Sequence, residues 1–600
     1  MNTRVVRALS LSLLMCWVVL VASPSARARP QPDHARLDRK LARLSGEAPG
    51  QSVRVIVTAR ADARDRVKQH LALRGEQMVE DHPFVNAVTA VVPAGELAAL
   101  ASGPDVDHVS IDAPIRGAVD NVGLLSTNML LPTLGLPNPI NGKDVGVAIV
   151  DSGIVDNDQV PVASFYDFTG GGITKMREYD DFGHGTHVAG MVRAKDDKAD
   201  ARYRSVAKGA RLIGMKVLAA DGSGYTSTVL RAIEFAIANK DALKIDVINL
   251  SLGHPIYESA ATDPLVLAVE KAVAAGIVVV VAAGNEGMNR ETGEIGYAGI
   301  TSPGNAPSAI TVGAVDTKNT QTRADDEIAP FSSRGPTWYD GYAKPDVVAP
   351  GRHVVSFMAK HSRLYDDYPS WRVDVATRTY MSLSGTSMAA AVTTGVVAEI
   401  IQAVRDANGG HEPTPNTVKA ILEYTAVPLP GVDTLSQGAG AINAAGAIAL
   451  GRLVNLNRPA GTFWLDSMPV PYTTLSNGEV VNWSEHMLWG DRIVWGTYIY
   501  NNEPAWALRI VWGTQEVWGN RIVWGTSDDS VVWGDRIVWG TRIVWGTSVL
   551  GYTQGSNVLY GDDIKWDSVT ADRIVWGTLD SSIGALSDDK AVGAGWTPVF

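Results

Sequence analysis

Short apolar runs alternate with helical segments between residues 119 and 455, and this alternation limits the possible folds more than any other feature of the chain. The runs cover 145–150, 212–218, 247–250, 278–282 and 310–315, and helical spacing covers 229–238, 263–275 and 386–405. Nearly continuous runs rich in Val and Ile are typical of strands that are buried on both faces of a parallel sheet. The sequence therefore predicts a large α/β domain with helices on both sides of the sheet.

Polar residues that follow such strands are the first candidates for a functional site, because ligands of these sheets bind beyond the carboxyl ends of the strands. Asp151 directly follows the first run, and Asn285 lies shortly after the fourth. His184 lies in Gly-His-Gly-Thr-His-Val-Ala-Gly, where small residues allow close backbone approach. Ser387 lies in Ser-Gly-Thr-Ser-Met-Ala before a long apolar helix, whose free N–H groups and positive dipole end stabilise an anion.

These four side chains are the groups that acyl transfer requires. A serine hydroxyl becomes a nucleophile when a base such as histidine takes its proton. A carboxylate orients the imidazole, and an amide N–H stabilises the tetrahedral intermediate. Taken alone, Asp151 could be a turn residue and Ser387 a helix cap. The joint pattern, and no single residue, indicates the chemistry.

Four segments, VAIVDSGI, GHGTHVAG, VVVAAGN and LSGTSMA, resemble the signature segments of the subtilisin-like serine proteases, or subtilases. They occur in the family order Asp, His, Ser, and the resemblance covers about residues 119–455. It implies a subtilisin-like α/β fold, a catalytic triad of Asp151, His184 and Ser387, and Asn285 in the oxyanion hole.

The resemblance also implies how a protein or peptide substrate binds. One segment pairs with the substrate backbone as an added β-strand, and another borders the primary specificity pocket. The first comprises Ser251, Leu252 and Gly253, and the second comprises Ala282, Ala283 and Gly284.

Two departures from the family pattern lie near the nucleophile. Ala391 stands four residues after Ser387, where the family usually has proline. We expect this change to relax the start of the helix and to shift the reactivity of Ser387 without removing a catalytic group. The stretch 359–380 is longer than usual and is expected to remodel the cleft.

The N-terminus has the layout of a secretory signal peptide over residues 1–28. Arg4 and Arg7 precede an apolar run at 8–22, and Ala-Arg-Ala then supplies a cleavage pattern. A transmembrane anchor is the alternative, but the run is short for a bilayer span of ~20 residues. The single cysteine, Cys16, lies within the run and leaves with it, which excludes a disulfide framework. The sequence thus predicts a secreted, extracellular or cell-envelope protein without a transmembrane anchor.

Residues 29–118 are predicted to form a propeptide. The stretch 29–50 is rich in Arg, Pro and Ala and is interpreted as a loose linker. The stretch 51–113 has roughly a β-α-β-β-α-β order, the ferredoxin-like layout. It resembles the inhibitory propeptide of subtilases, which implies that it assists folding, blocks the cleft as an intramolecular inhibitor and is removed by the enzyme itself.

Residues 456–600 form a separate repeat region. Of the 17 tryptophans, 14 lie after residue 460, and Arg-Ile-Val-Trp-Gly recurs six times. Ile and Trp would share one face of a short strand, and Gly followed by a polar residue indicates a turn. The repeat therefore predicts a β-solenoid or a tight meander. Its tryptophans either form the core of that repeat or bind a partner, which the sequence does not identify.

Charge and metal-ligand spacing limit the remaining partners. The net charge of −12 argues against a nucleic-acid partner. His184 and His187 are three residues apart, whereas a helical zinc pair needs a spacing of four. Asp156 and Asp158 leave two alternatives open, a structural calcium site or a solvated acidic loop. No cofactor is expected for the chemistry itself.

Two functions follow as hypotheses. The first is a secreted subtilisin-like endopeptidase made as a self-processing zymogen. The second is a non-catalytic surface or adhesion protein that keeps the protease fold as a scaffold and binds through its repeat.

Overall fold

The computed structural model describes residues 36–117, 130–136, 140–155, 158–195, 203–290, 292–375, 378–457, 465, 467, 469–489 and 492–495, together with short strands after residue 522. The predicted signal peptide and most of the predicted repeat lie outside the described residues. The N-terminal domain comprises residues 36–113. The larger α/β domain that follows it is the one predicted to be a peptidase, and it is called the peptidase domain below.

The core of the peptidase domain is a mostly parallel sheet of nine strands within the described part of the chain. The order is β15-β14-β13-β11-β6-β9-β7-β8, with β16 paired to β14, and only the edge strands β8 and β15 run antiparallel. The strands are β6 Gly146–Asp151, β7 Val162–Asp167, β8 Thr174–Lys175, β9 Arg211–Lys216, β11 Val247–Leu250, β13 Val278–Ala282, β14 Ile310–Asp316, β15 Glu327–Ile328 and β16 Val347–Pro350. The predicted fold class is confirmed.

Helices cover both faces of this sheet, which is why its strands are apolar throughout. Val147, Ile149 and Val280 face the core on one side, while Ala148 and Val281 face the core on the other. The helices are α4 Leu130–Thr133, α5 His184–Val192, α6 Thr226–Ala238, α7 Lys240–Leu243, α8 Pro264–Ala274, α9 Arg363–Asp367, α10 Thr386–Ala407, α11 Pro415–Thr425, α12 Thr434–Gln437 and α13 Ala444–Gly451. Among the described residues, α10 alone is long and apolar enough to cross a membrane, and 94% of its apolar window is buried inside the protein.

The N-terminal domain is a four-stranded antiparallel sheet of order β2-β3-β1-β4 with helices on one face. Its other face packs on helices α6 and α8, since Ile56, Val85 and Ala87 share a buried cluster with them. The elements are α1 Arg39–Glu47, β1 Ser52–Ala59, α2 Arg64–Leu73, β2 Gln77–His82, β3 Ala87–Pro93, a 3₁₀ turn Ala94–Glu96, α3 Leu97–Ala101 and β4 Val106–Ile111.

Helix α1 corrects the prediction of a loose linker over 29–50. Asp38 caps the helix, because its side chain accepts a hydrogen bond from the Leu41 N–H at 2.8 Å. Leu41 is fully buried in the core of the N-terminal domain. The capping hydrogen bond and the burial of Leu41 stabilise the helix despite the linker-like composition of this stretch.

A small three-stranded sheet joins the two domains, because its middle strand follows the N-terminal domain and its outer strands belong to the peptidase domain. Strand β5 (Pro114–Gly117) lies between β10 (Ser223–Tyr225) and β12 (Leu252–Gly253) in an antiparallel sheet. A second small sheet, of order β17-β19-β18, contains β17 Val354–Phe357, β18 Arg372–Val375 and β19 Arg378–Leu383, with a 3₁₀ turn at Pro369–Trp371.

Packing onto the peptidase domain continues beyond the predicted boundary at residue 455. A hairpin of β20 (Tyr472–Thr474) and β21 (Val480–Asn482) leads to Trp483, which is 6% exposed and belongs to the main core. Its Nε1–H donates to Thr473 Oγ1 at 2.8 Å. This tryptophan is therefore a core residue.

Short paired strands also occur in the predicted repeat. They are β22 His486–Trp489, β23 Arg492–Trp495, β24 Val523–Trp524, β25 Val538–Trp539, β26 Val549–Thr553, β27 Ser556–Ile564, β28 Trp566–Thr570 and β29 Arg573–Trp576. Each pairs with one neighbour, and β24 and β25 are parallel. The solenoid or meander stays a prediction, because the residues between these strands lie outside the described part of the chain.

Candidate active site

Asp151 and His184 meet at the carboxyl edge of the central sheet. Asp151 is the last residue of β6, His184 is the first residue of α5, and both are fully buried. His184 Nδ1 lies 2.7 Å from Asp151 Oδ1. Because the carboxylate accepts a hydrogen bond from Nδ1–H, the lone pair of His184 is on Nε2. The histidine is thus oriented as a base that uses Nε2.

A second buried aspartate, which the motif reasoning missed, positions this pair. Asp180 Oδ1 accepts hydrogen bonds from Ser152 Oγ at 2.9 Å and from the Gly183 N–H at 2.7 Å. Its Oδ2 accepts from the N–H and Oγ1 of Thr186, at 2.8 and 2.7 Å. Burial raises the pKa of Asp180. Because Ser152 follows Asp151 and Gly183 precedes His184, this carboxylate fixes the strand end relative to the helix start.

A buried lysine lies beneath the same strand end. Lys216 Nζ donates to the Ser152 carbonyl at 2.6 Å and to the Leu218 carbonyl at 2.7 Å, and it pairs with Asp181 at 2.6 Å. In the sequence, the two supporting aspartates appear as the adjacent pair Asp180 and Asp181 just before the histidine motif. Their spacing alone does not assign them a role.

Ser387 lies in the first turn of α10, and its side chain is fully buried. Its Oγ donates a hydrogen bond to the Ser251 carbonyl at 2.9 Å, while Ser251 Oγ donates to the Ser387 carbonyl at 3.0 Å. Within the described residues, His184 Nε2 has no hydrogen-bond partner. The structure therefore forms the Asp–His link of the predicted triad, whereas the serine hydroxyl bonds Ser251, the residue between β11 and β12.

Asn285 is held with its amide N–H₂ free. Its Oδ1 accepts hydrogen bonds from the Thr386 N–H and from Thr386 Oγ1, both at 3.0 Å. Because a backbone N–H can only donate, the atom facing it is the oxygen, and Nδ2 is the free end. Nδ2 is buried and has no partner among the described residues. A free buried donor beside the N-terminus of α10 suits a developing oxyanion.

The predicted substrate-binding edge carries a strand of the chain itself. Gly253 pairs with Arg116 and Leu252 pairs with Gly117, and on the far side Gly224 pairs with Ile115. A Cβ added to Gly117 would lie 3.2 Å from His184 Nδ1, so this segment passes directly over the histidine ring. Residues 114–117 thus occupy the place of an added β-strand at the candidate site.

The second predicted substrate segment continues from strand β13. Ala282 ends that strand, and the Ala283 carbonyl accepts a hydrogen bond from the Thr301 N–H at 3.0 Å. A Cβ added to Gly253 or to Gly284 would lie 2.9 Å from Thr301 Oγ1. The two predicted segments therefore converge on Thr301, and their role as a specificity pocket stays a prediction.

The long stretch 359–380 packs on the loop that precedes His184. The Arg363 N–H donates to the Asp181 carbonyl at 2.9 Å, and the Leu364 N–H donates to the Phe182 carbonyl at 3.0 Å. Gly183 has φ +105°, and a Cβ there would lie 2.4 Å from Ser362 Oγ. A side chain at Gly183 is excluded both by backbone conformation and by this contact.

Two further residues that the sequence singled out, His187 and Ala391, are core residues. His187 is fully buried, its Nε2 lies 3.0 Å from the Met381 carbonyl, and burial lowers its pKa to about 3. Ala391 is fully buried within α10, which is continuous from Thr386. Asp156 lies outside the described residues, so calcium binding near Asp158 stays a prediction.

Comparisons with known proteins identify the family to which this fold belongs. Residues 142–446 match the Subtilase family, peptidase S8. Serine protease AprX of Bacillus subtilis strain 168 is 40% identical over 316 residues, which are 52% of this chain and 67% of that protein. Subtilisin E of the same organism is 32% identical over 346 residues, 57% of this chain and 78% of that protein.

A solved structure gives the same fold. Fervidolysin from Fervidobacterium pennivorans, described as a keratinolytic enzyme related to subtilisin, aligns with a TM-score of 0.53 and 23% identity. The alignment covers 70% of this chain and 63%, less than two thirds, of that one. Fold and site together define an α/β protein of the subtilisin-like class. The family match spans about half of the chain, and the chain belongs to the subtilase family.

Proposed function

We propose that this chain is a secreted serine endopeptidase that hydrolyses peptide bonds in proteins through an acyl-enzyme and is made as a self-processing zymogen. The observation that carries the proposal is strand β5, a peptide of the chain itself bound between β10 and β12 and against His184. A site that binds an extended peptide beside an Asp–His pair and a helix-terminal serine supports peptide hydrolysis.

Acylation begins when a bound substrate strand displaces the hydrogen bond that Ser387 Oγ donates to the Ser251 carbonyl. A peptide that continues the β5 register by one residue pairs with Ser251, and its N–H competes for the Ser251 carbonyl that now accepts from Ser387 Oγ. The freed hydroxyl turns toward His184 Nε2, which takes its proton as Oγ attacks the scissile carbonyl carbon. Asp151 stabilises the imidazolium through Nδ1–H.

The tetrahedral intermediate places its oxyanion at the N-terminus of α10. Asn285 Nδ2 donates to that oxygen, and the dipole of the helix adds to the stabilisation. His184 then donates its proton to the leaving amine, so that the C–N bond breaks and the Ser387 ester remains. Water attacks the ester with His184 again as base, and the acid product leaves with Ser387 restored.

The same register supports residues 29–118 as an inhibitory propeptide. Arg116 pairs with Gly253 and Gly117 with Leu252, so a chain that continues this register by one residue would pair with Ser251 beside the nucleophile. Cleavage then falls after residue 118, at the predicted boundary between propeptide and peptidase domain. After the cut, β5 stays paired in the cleft and blocks it until the N-terminal domain leaves.

We therefore expect Val119 to be the N-terminus of the mature protein. Intact-mass and N-terminal peptide analysis of the self-processed protein measures it, and a different N-terminus contradicts the register. Ile115 is fully buried between the domains, so Ile115→Asp should slow processing at least ~10-fold, because it buries a carboxylate in an apolar site. Ile115→Val, which keeps an apolar β-branched side chain at the same position, is the matched control and should process at close to the wild-type rate.

Covalent labelling separates this function from a non-catalytic binding role. A fluorophosphonate probe should label the self-processed protein on one serine, and peptide mapping should locate the label on Ser387. Ser382→Ala is the control, because Ser382 Oγ has no hydrogen-bond partner among the described residues and the variant should still be labelled. Correctly folded and processed protein that takes up no probe would favour the surface or adhesion protein.

A further inference from the structure

Three ionisable side chains meet in the buried interface between the N-terminal domain and the peptidase domain. His108 Nε2, on β4, lies 2.7 Å from Glu258 Oε2 of the peptidase domain, and each side chain is 8% exposed. Asp38 is 1% exposed and interacts electrostatically with both. Its Oδ1 accepts from the Leu41 N–H at 2.8 Å, and its Oδ2 accepts from the Ile111 N–H. An ion pair thus crosses the interface beside a buried carboxylate.

Backbone contacts fix the cluster to the interface. The Arg39 N–H donates to the Tyr257 carbonyl at 3.2 Å, one residue before Glu258, and the Asp38 N–H donates to the Val109 carbonyl at 3.1 Å. Separation of the two domains therefore breaks the His108–Glu258 contact. Among the described residues, the other charged or titratable groups that interact electrostatically with these three are Asp107 of the N-terminal domain and Tyr257 and Asp263 of the peptidase domain. Arg39 interacts in turn with Tyr257, and His254 with Asp263.

We propose that Asp38, His108 and Glu258 form an acid-stabilised latch that holds the N-terminal domain on the peptidase domain at acidic pH and loosens it as the pH rises to neutral and above. The latch itself follows from the interface. Only its consequence, release of an active protease at higher pH, rests on the proposed function.

The aspartate sets one part of the pH dependence. Burial and the charge of Glu258 raise the pKa of Asp38 to about 7 when the domains are together. Once the domains separate, the repulsion from Glu258 is removed, and the pKa of Asp38 falls toward the usual ~3.9. Between these two values the associated state keeps a proton that the separated state has lost. A rising pH therefore favours separation over this window.

The histidine acts in the same direction. Burial alone lowers the pKa of His108, but the close contact with Glu258 and its negative charge outweigh burial, and the pKa is raised. The stability that protonated His108 gives to the associated domains is fully present below the unpaired pKa of ~6.5. It is lost as the pH rises through the raised pKa. Burial also raises the pKa of Glu80, whose carboxylate faces Arg231 across the same interface at 2.9 Å. The raised pKa values of Asp38, His108 and Glu80 therefore all favour association at low pH and separation as the pH rises.

Hydrogen exchange of the full-length chain tests the latch without using activity. The Ser387→Ala background keeps the two domains in one uncut chain. The reporters are amides bonded across the interface, in residues 114–117 and 223–227. Corrected for intrinsic exchange, their protection should fall at least ~10-fold between about pH 5.5 and about pH 8, since a one-proton linkage changes an equilibrium tenfold per pH unit.

Two isosteric variants identify the groups responsible. Asp38→Asn keeps the cap on the Leu41 N–H and removes the buried charge, but its amide Nδ2 cannot accept from the Ile111 N–H. The pH slope is therefore the diagnostic, and protection should fall less between about pH 5.5 and about pH 8 than in the parent. Glu258→Gln removes the partner of His108, so protection at about pH 5.5 should fall and the pH slope should flatten. Asp65→Asn is the control, because Asp65 is an exposed carboxylate in helix α2 of the same domain, and it should keep the parent slope.

Failure of the latch and failure of the proposed protease function give different results. Equal protection at both pH values, or an unchanged slope in both variants, overturns the latch. In the wild-type protein, activity should appear faster after a jump from about pH 5.5 to about pH 8 than to about pH 6. Exchange that depends on pH in a chain that never gains activity supports the latch and contradicts the protease. Activity that appears at one rate at every pH supports the protease and contradicts the latch.

Discussion

Ser387→Ala should lower kcat for hydrolysis of a peptide substrate by about 10⁶-fold, the size known for loss of a subtilisin nucleophile. The reason is chemical: without Oγ no acyl-enzyme forms, and only direct attack of water on a bound substrate remains. The loss of one hydroxyl costs little structure, because Ser387 Oγ makes one hydrogen bond, to the Ser251 carbonyl. Steady-state kinetics with a chromogenic peptide measure the change.

The same variant should accumulate as the uncut precursor, because the nucleophile that processes the chain is the one that is missing. Its mass should include residues 29–118, whereas the wild-type protein yields a separate propeptide. Ser382→Ala, a buried serine on the preceding strand, should process normally and keep wild-type kinetics within a few-fold. A Ser387→Ala chain that matures in isolation at the wild-type rate would contradict self-processing.

The sheet was predictable because a strand that is buried on both faces is apolar throughout, and this pattern is visible within a single short segment. Strands β11 and β13 match the predicted runs at both ends, and β6 is displaced by one residue. Asp151 was predictable for the same reason, since its place depends only on where a buried strand ends. Features of this kind need no knowledge of distant parts of the chain.

The supporting parts of the site depend on contacts between distant segments, and the sequence does not show them. Strands β10 and β12 have only three and two residues and each contains a glycine, which is depleted in strands, and they form because β5 pairs with both. Thr386 orients Asn285 across 101 positions, and Glu258 meets His108 across the domain interface. The rotamer of Ser387 is likewise set by the Ser251 carbonyl, 136 positions away.

Asp151→Asn should lower kcat by about 10⁴-fold at neutral pH while leaving the fold intact. The side chains are nearly isosteric, but the amide of asparagine can donate to His184 Nδ1. That bond stabilises the tautomer that carries its proton on Nε2, the atom that must accept the Ser387 proton. The present 2.7 Å contact between Nδ1 and the Asp151 carboxylate enforces the opposite tautomer.

The control for this variant is Asp167→Asn. Asp167 ends strand β7 of the same sheet, and its carboxylate accepts from Thr169 and Tyr179 and not from a histidine. It should keep kcat within a few-fold of wild type. If Asp151→Asn unfolds at the wild-type temperature and reacts with the fluorophosphonate probe at least ~10³-fold more slowly, the loss lies in the chemistry of His184. If its kcat stays within tenfold of wild type, another group orients the histidine, and the buried Asp180, which fixes the same loop, becomes the residue to replace.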